Sequence, residues 1–186
     1  MWLRQIGLYV KYLMAKFRLW GRVRFNGFTI VYAFSGSTIE FKGRGTVVNS
    51  APLSNLIGLS QRTILVARHG GAITIGENAG ISGATIYAME RITIGNGVLI
   101  GANCKIIDND FHPLRAELRN PQKVEDIKKR PIVIGDGCFI GANSIILKGT
   151  TLGRNCVVGA GSVVCGTFPD NVIIAGNPAK VVKQNL

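Results

Sequence analysis

A side chain that faces inward at every sixth residue constrains a fold more tightly than composition does, and this chain keeps that rhythm from Ile134 to Cys165. Ile134, Ile140, Ile146, Leu152, Val158 and Val164 stand six apart, and Gly135, Gly141, Gly153 and Gly159 follow four of them. Four residues past each of the first five comes a small side chain: Cys138, Ser144, Thr150, Cys156 and Ser162. A period of six drifts off any helical face but equals three full pleats of a strand, so the apolar and small positions both keep facing inward. Self-similarity at this length marks a parallel β-helix, in which short strands wind into a prism and each coil stacks on the last. Three hexads make one triangular coil, so Ile134, Ile140 and Ile146 are expected to lie against Leu152, Val158 and Val164, about 4.8 Å away along the axis. The glycines are expected to turn the corners, with backbone angles that glycine adopts cheaply.

Upstream the rhythm is weaker. Residues 25–34 and 38–41 read as strands on either side of a Ser35-Gly36-Ser37 turn, and they are expected to open the β-helix in imperfect coils. Hexads appear at Ile75 and Ile81, run loosely through Tyr87, and resume at Ile94, Ile100 and Ile106. The step from Ile75 to Ile94 is nineteen residues instead of eighteen, which predicts one extra residue near the corner at 88–91. Between Ile106 and Ile134 the repeat stops, and residues 108–130 read as a loop thrown out of a rigid solenoid, a placement suited to chemistry. After Val164 the hexads decay, and residues 166–186 read as a cap over the last apolar coil, with a turn at 175–180.

Residues 1–24 carry Leu3, Ile6, Val10, Leu13, Phe17 and Trp20 at spacings of three and four, with Arg4, Lys11 and Arg18 on a neighbouring line. This predicts an amphipathic α-helix. Two readings of it stand together: an interfacial helix on an anionic membrane, and a helix packed on the β-helix end or on a neighbouring subunit. Lys11, Lys16 and Arg18 interrupt its apolar run, which argues against a signal peptide and against a membrane span. Of the net charge of +12, residues 1–39 supply six bases and no acid, so the body is only mildly basic. The chain has no helix-turn-helix, zinc-finger spacing or aromatic-basic single-strand motif, and nucleic acid is not expected as a partner. Cys104, Cys138 and Cys156 take the small inward position of a hexad and there is no C-x-x-C pair, so buried, reduced thiols and a reducing compartment are expected.

His112 is the residue in the interrupting loop best suited to move a proton, because histidine titrates near neutrality. Asp108 and Asp110 stand close enough in sequence to orient its ring. The plainer reading is a structural or merely exposed loop histidine. His69, in Arg68-His69-Gly70-Gly71, is expected to be exposed and without a role.

The run Asp108-Asn109-Asp110-Phe111-His112-Pro113 resembles the histidine loop of the hexapeptide-repeat sugar O-acetyltransferases. That family includes the galactoside, maltose and xenobiotic acetyltransferases and the acyltransferases of surface-polysaccharide gene clusters. The resemblance extends through Gly80-Ile81-Ser82-Gly83, Ile100-Gly101-Ala102-Asn103, Gly141-Ala142-Asn143, Gly159-Ala160-Gly161-Ser162 and Ala175-Gly176-Asn177-Pro178-Ala179-Lys180. It implies an all-β, left-handed parallel β-helix over residues 25–186, with the N-terminal amphipathic α-helix at 1–24, a protruding catalytic loop at 108–130 and a cap at 166–186. It further implies transfer of an acetyl group from acetyl-CoA to a hydroxyl of a sugar or glycan precursor in surface-polysaccharide biosynthesis, with His112 as general base and no metal. A homotrimer with sites between its subunits is expected, in the cytoplasm, with residues 1–24 meeting the inner face of the membrane in the first of their two readings.

By the same resemblance, Phe139, Ala142, Ala160 and Cys165 would line the pantetheine, and Lys180 and Lys183 would meet the nucleotide phosphates. Gly166 stands where members often carry a lysine. Asn55, Ser82, Tyr87 and Glu90 are the candidates for the acceptor side, with Tyr87 expected to stack one coil from Ile106. The fold also hosts three-histidine zinc enzymes, but His69 and His112 fall short of that ligand set. The competing function is a catalytically silent trimeric scaffold or membrane-docked assembly module.

Overall fold

The computed structural model describes Gly7, Leu13, Met14, Leu19 and residues 21–185. Most of the helix expected at 1–24, and with it the membrane contact, lies outside the described residues. The first coil is β1 (Val23–Asn26), β2 (Ile30–Ala33) and β3 (Thr38–Phe41), and the second is β4 (Thr46–Asn49), β5 (Ile64–Ala67) and β6 (Ala72–Ile75). The third is β7 (Gly80–Ser82), β8 (Thr85–Ala88) and β9 (Arg91–Ile94); the fourth is β10 (Leu99–Ile100), β11 (Lys105–Ile107) and β12 (Ile132–Ile134). The fifth is β13 (Phe139–Ile140), β14 (Ile145–Leu147) and β15 (Thr151–Leu152), and the sixth β16 (Val157–Val158), β17 (Val163–Val164) and β18 (Thr167–Phe168). β19 (Val172–Gly176) starts another turn, and β20 (Ala179–Gln184) folds back on it as an antiparallel partner.

Successive coils stack into three sheets, so the molecule is a triangular prism. Face A holds β1, β4, β7, β10, β13, β16, β19 and β20; face B runs from β2 to β17, and face C from β3 to β18. Ile134 pairs with Leu152, Ile140 with Val158 and Ile146 with Val164, which is the expected register. All six are fully buried along the axis.

The small inward residues do more than leave room. Cys138 Sγ donates to Gly153 O (3.0 Å), Ser144 Oγ to Gly159 O (3.1 Å), Thr150 Oγ1 to Val164 O (3.1 Å) and Cys156 Sγ to Pro169 O (3.1 Å). Each is a short donor to a carbonyl further along the chain, and Gly159 O also accepts Ser162 Oγ at 2.6 Å.

Three expectations need correction. The glycines after the apolar hexad positions do not turn the corners, since Gly135, Gly141 and Gly153 are absent from the positive-φ residues. They are required because a Cβ on Gly141 would meet Ala160 N at 2.5 Å, and one on Gly135 would meet Gly153 O at 2.6 Å. The left-handed turns fall two residues later, at Gly137, Asn143, Gly149, Asn155 and Gly161. Second, the inward residue of β8 is Ile86, which pairs with Ile106, while Tyr87 pairs with Ile107 and faces outward. The step from Ile81 to Ile86 is five residues and that from Ile86 to Ile94 is eight, so a short corner and a long one together leave the single extra residue. Third, residues 25–34 are two strands, broken after Asn26 at Gly27, where φ is 90° and the chain turns from face A to face B.

Burial pushes the Cys138 thiol up to about 12 and also raises those of Cys104 and Cys156, each from an ordinary value of 9.0. A raised thiol favours the protonated fold. The Cys138 contribution to stability is therefore full below about pH 9 and falls as pH climbs toward about 12, by at most about 1.4 kcal/mol per pH unit, and Cys104 and Cys156 act in the same direction. Cys138→Ser keeps a donor for Gly153 O and removes one titration. Urea unfolding of this variant is expected to lose less stability than the parent between about pH 8 and about pH 10.5, and an equal loss would contradict the assignment.

Candidate active site

The axial repeat is interrupted where face B meets face C, in the fourth coil between β11 and β12. The ends of this loop run antiparallel: Asp110 N donates to Lys128 O (3.0 Å) and Arg130 N to Asp108 O (2.9 Å), with Asn109 bridged to Lys129. Asp108 is fully buried at the root. Its carboxylate accepts the amides of Met89 and Glu90, each at 2.8 Å, and the side-chain amide of Asn109 at 3.0 Å. The long corner of the third coil and the loop of the fourth are thus joined through the Asp108 side chain, and Lys129 Nζ adds a bond to Met89 O at 3.3 Å. The Asp108 carboxylate binds backbone and Asn109, not the histidine ring.

From that root the chain makes a tight turn. Asn109 Oδ1 accepts Phe111 N at 2.9 Å, and His112 N donates to Asp110 O at 2.6 Å. Between them Phe111 has φ of 59°, a left-handed conformation that bulky residues seldom adopt. Its ring meets Tyr87 with centroids 4.8 Å apart and stays 40% exposed, so the turn presents an aromatic pair and His112 together. Asp110 points the other way, into an ion pair with Lys148 from the next coil.

The His112 ring is exposed, and its Nδ1 lies 2.6 Å from Gln122 Oε1. Gln122 Nε2 donates to Phe111 O at 3.0 Å. A backbone carbonyl can only accept, so the amide nitrogen of Gln122 must face Phe111 and its oxygen must face the ring. Nδ1 then carries the proton, and Nε2 is left with a lone pair toward solvent. Arg119 braces the same segment by donating to Pro113 O (2.9 Å) and Leu114 O (2.7 Å). Neither Gln122 nor Arg119 was accessible to pattern reading, because both act from an irregular stretch with no periodicity.

The remaining candidates separate by face. Tyr87 and Glu90 lie near the vertex that carries His112; the Glu90 amide holds Asp108. Asn55 and Ser82 sit at the vertex of faces A and B: Asn55 Oδ1 accepts Ile57 N (3.2 Å), and Ser82 Oγ accepts from Asn49 Nδ2 (3.2 Å). Phe139 is on the outer surface of face A, in register with Leu99, Val157 and, one strand on, Ile173, and Lys183 pairs with Ile173. Ala142 and Ala160 flank this wall at the vertex of faces A and B, and Lys180 stands on β20. Cys165 is exposed beyond β17, at the vertex of faces B and C, apart from the other donor candidates. An outward apolar stripe that ends in lysines fits a donor with a flexible apolar arm and a phosphate-bearing end. His69 is exposed in a left-handed turn with φ of 53°. Among the described residues no group of three or more His, Cys, Asp or Glu is arranged to hold a metal ion, and no helix is long and apolar enough to cross a membrane.

Nitrogen NMR of the imidazole tests the tautomer directly. Neutral His112 is expected to be the Nδ1–H form in the parent, and Gln122→Leu is expected to populate the Nε2–H form. An Nε2–H parent would refute the arrangement.

A repeat signature described as the hexapeptide repeat of succinyl-transferase matches residues 91–106 and 131–165. The galactoside O-acetyltransferase of Escherichia coli K12 is 38% identical over 117 residues, which are 62% of this chain and 56% of that protein. The crystal structure of a maltose O-acetyltransferase from Clostridium difficile 630 matches with a TM-score of 0.56 and 30% identity, over 83% of this chain and 68% of that one. A galactoside acetyltransferase in complex with coenzyme A matches with a TM-score of 0.51 and 26% identity, over 89% of this chain and 66% of that one. The chain spans about half the length of the curated relatives it matches. In its repeat, its three-sided architecture and the structures it matches, the chain belongs to the hexapeptide-repeat acyltransferases, whose fold is a left-handed parallel β-helix.

Proposed function

We propose that this protein transfers an acetyl group from acetyl-CoA to a hydroxyl of a sugar or glycan precursor, with His112 as general base, at a site completed by the next subunit of a homotrimer. The observation that carries this reading is the free Nε2 of His112, set by Gln122 on a braced, exposed turn. His112 takes the acceptor's hydroxyl proton at Nε2 as that oxygen bonds to the acetyl carbon. When the carbon–sulfur bond breaks, the imidazolium returns the proton to the departing sulfur, so the ring ends as it began. The direct route uses one base and no covalent enzyme intermediate.

Prism geometry supports assembly of the site from more than one chain. In a triangular prism the vertex of faces B and C is opposite face A, so His112 points away from the apolar wall and lysines of its own chain. A neighbouring copy that brings its face A to this vertex supplies the donor wall. The same packing brings Asn55 and Ser82 of one chain toward Tyr87, Glu90 and His112 of another as the acceptor side. The relatives named as galactoside and maltose O-acetyltransferases support a sugar hydroxyl as the acceptor. The coenzyme A complex of a neighbour supports the donor.

Release of thiol from acetyl-CoA, followed across a panel of free sugars and glycan precursors, tests the proposal. Acceptor-dependent release is expected from the parent, with a loss of about 10²- to 10⁴-fold in His112→Ala and an unchanged circular dichroism spectrum. Turnover undiminished by that change would overturn the mechanism. No turnover with any acceptor would favour the silent scaffold.

A further inference from the structure

Lys148 lies outside the proposed proton path, yet it touches the turn on which that path depends. It follows β14 in the fifth coil, at the vertex of faces B and C, one coil beyond the root of the loop. Its Nζ pairs with Asp110 Oδ1, and the two side chains are only 27% and 16% exposed. Asp110 Oδ2 is buried without a hydrogen-bond partner. The ammonium of Lys148 is therefore the charge that balances this carboxylate, and Asp110 O in turn receives His112 N.

The turn is held from two sides. Asp108 fixes its root to the third coil through the Met89 and Glu90 amides, and Lys148 fixes Asp110 to the fifth. Between those anchors sits Phe111 in its left-handed conformation, which the chain sustains only while the surroundings enforce it. Removing the ammonium would leave a largely buried carboxylate unpaired, and such a group moves toward solvent in preference to staying. Where the Asp110 backbone follows its carboxylate, the carbonyl that receives His112 N shifts with it and the imidazole loses its place against Gln122.

We propose that Lys148 is a positioning residue for His112, acting through Asp110. The proposal rests on His112 being the base, but its structural half can be tested apart from turnover. Lys148→Met is expected to reduce kcat about tenfold or more while the KM for acetyl-CoA and the cooperative unfolding transition are retained. Lys148→Arg is expected to keep most of the activity. In Asp110→Asn/Lys148→Met, where neither charge remains, most of the turnover lost in Lys148→Met should return. Nitrogen NMR of the imidazole should show the Nδ1–H form eroded in Lys148→Met and restored in the double variant.

A Lys148→Met protein with parental kcat and parental imidazole signals would overturn the proposal. So would a loss that the double variant fails to recover, since Lys148 would then act on a substrate and not through Asp110. If the parent turns over no acceptor, the reading of His112 as base fails, and the imidazole signals alone decide whether Lys148 holds the ring.

Discussion

The whole structure depends on each coil lying flat against the next at the spacing of hydrogen-bonded strands. Because the stack is parallel and repeated, any atom that projects along the axis at one level meets the same position at the next. Isoleucine, leucine and valine stack in columns at the middle of each face, from Ile134 onto Leu152 and from Ile140 onto Val158. At Gly135 and Gly141 there is no room for a Cβ, and the backbone of the following coil approaches in its place. Next to them, a short donor such as Cys138 or Ser144 bonds a half-buried carbonyl further along the chain. The three thiols of the interior are part of this arrangement. Burial raises the range over which all three stay protonated, which keeps them from acting as nucleophiles near neutral pH.

Rigidity of that kind allows a strained turn to be placed at a fixed point. The loop between β11 and β12 leaves the prism and returns without disturbing register, since Ile132 still pairs with Ile92 and Ile134 with Ile94. Asp108 closes the opening by binding the long corner of the coil before, so the irregularity at Met89 and Glu90 and the loop form one structural unit. His112 is held through backbone contacts and a neutral amide, with the carboxylates of Asp108 and Asp110 acting on the frame around it.

Much of this was legible in the chain itself, and the boundary has a physical cause. The column of Ile134, Ile140 and Ile146, the interruption at 108–130 and His112 within it all express or break a short period, which one sequence displays. The reason for the glycines is not legible in sequence, because a positive φ and axial clearance select the same residue. Tyr87 looks like the loose hexad position in sequence because two compensating corner lengths around Ile86 cancel to a single extra residue over the coil. Gln122 and Lys148 were invisible for a different reason. One reaches His112 across ten residues of irregular chain, and the other reaches Asp110 from a separate coil 38 residues away. The proposed interfacial site is legible only once the faces are known, because nothing in the order of residues says that the His112 vertex lies opposite the wall of Phe139 and Lys183.

That opposition is the central claim: base and donor wall act together only when they come from different chains. Reassembling a one-to-one mixture of His112→Ala chains with Phe139→Ser/Lys183→Glu chains, each inactive alone, and measuring acceptor-dependent thiol release tests it most directly. If each site takes its base from one chain and its wall from the next, random mixing should restore about a quarter of parental activity. No activity above that of the separate variants would contradict the account.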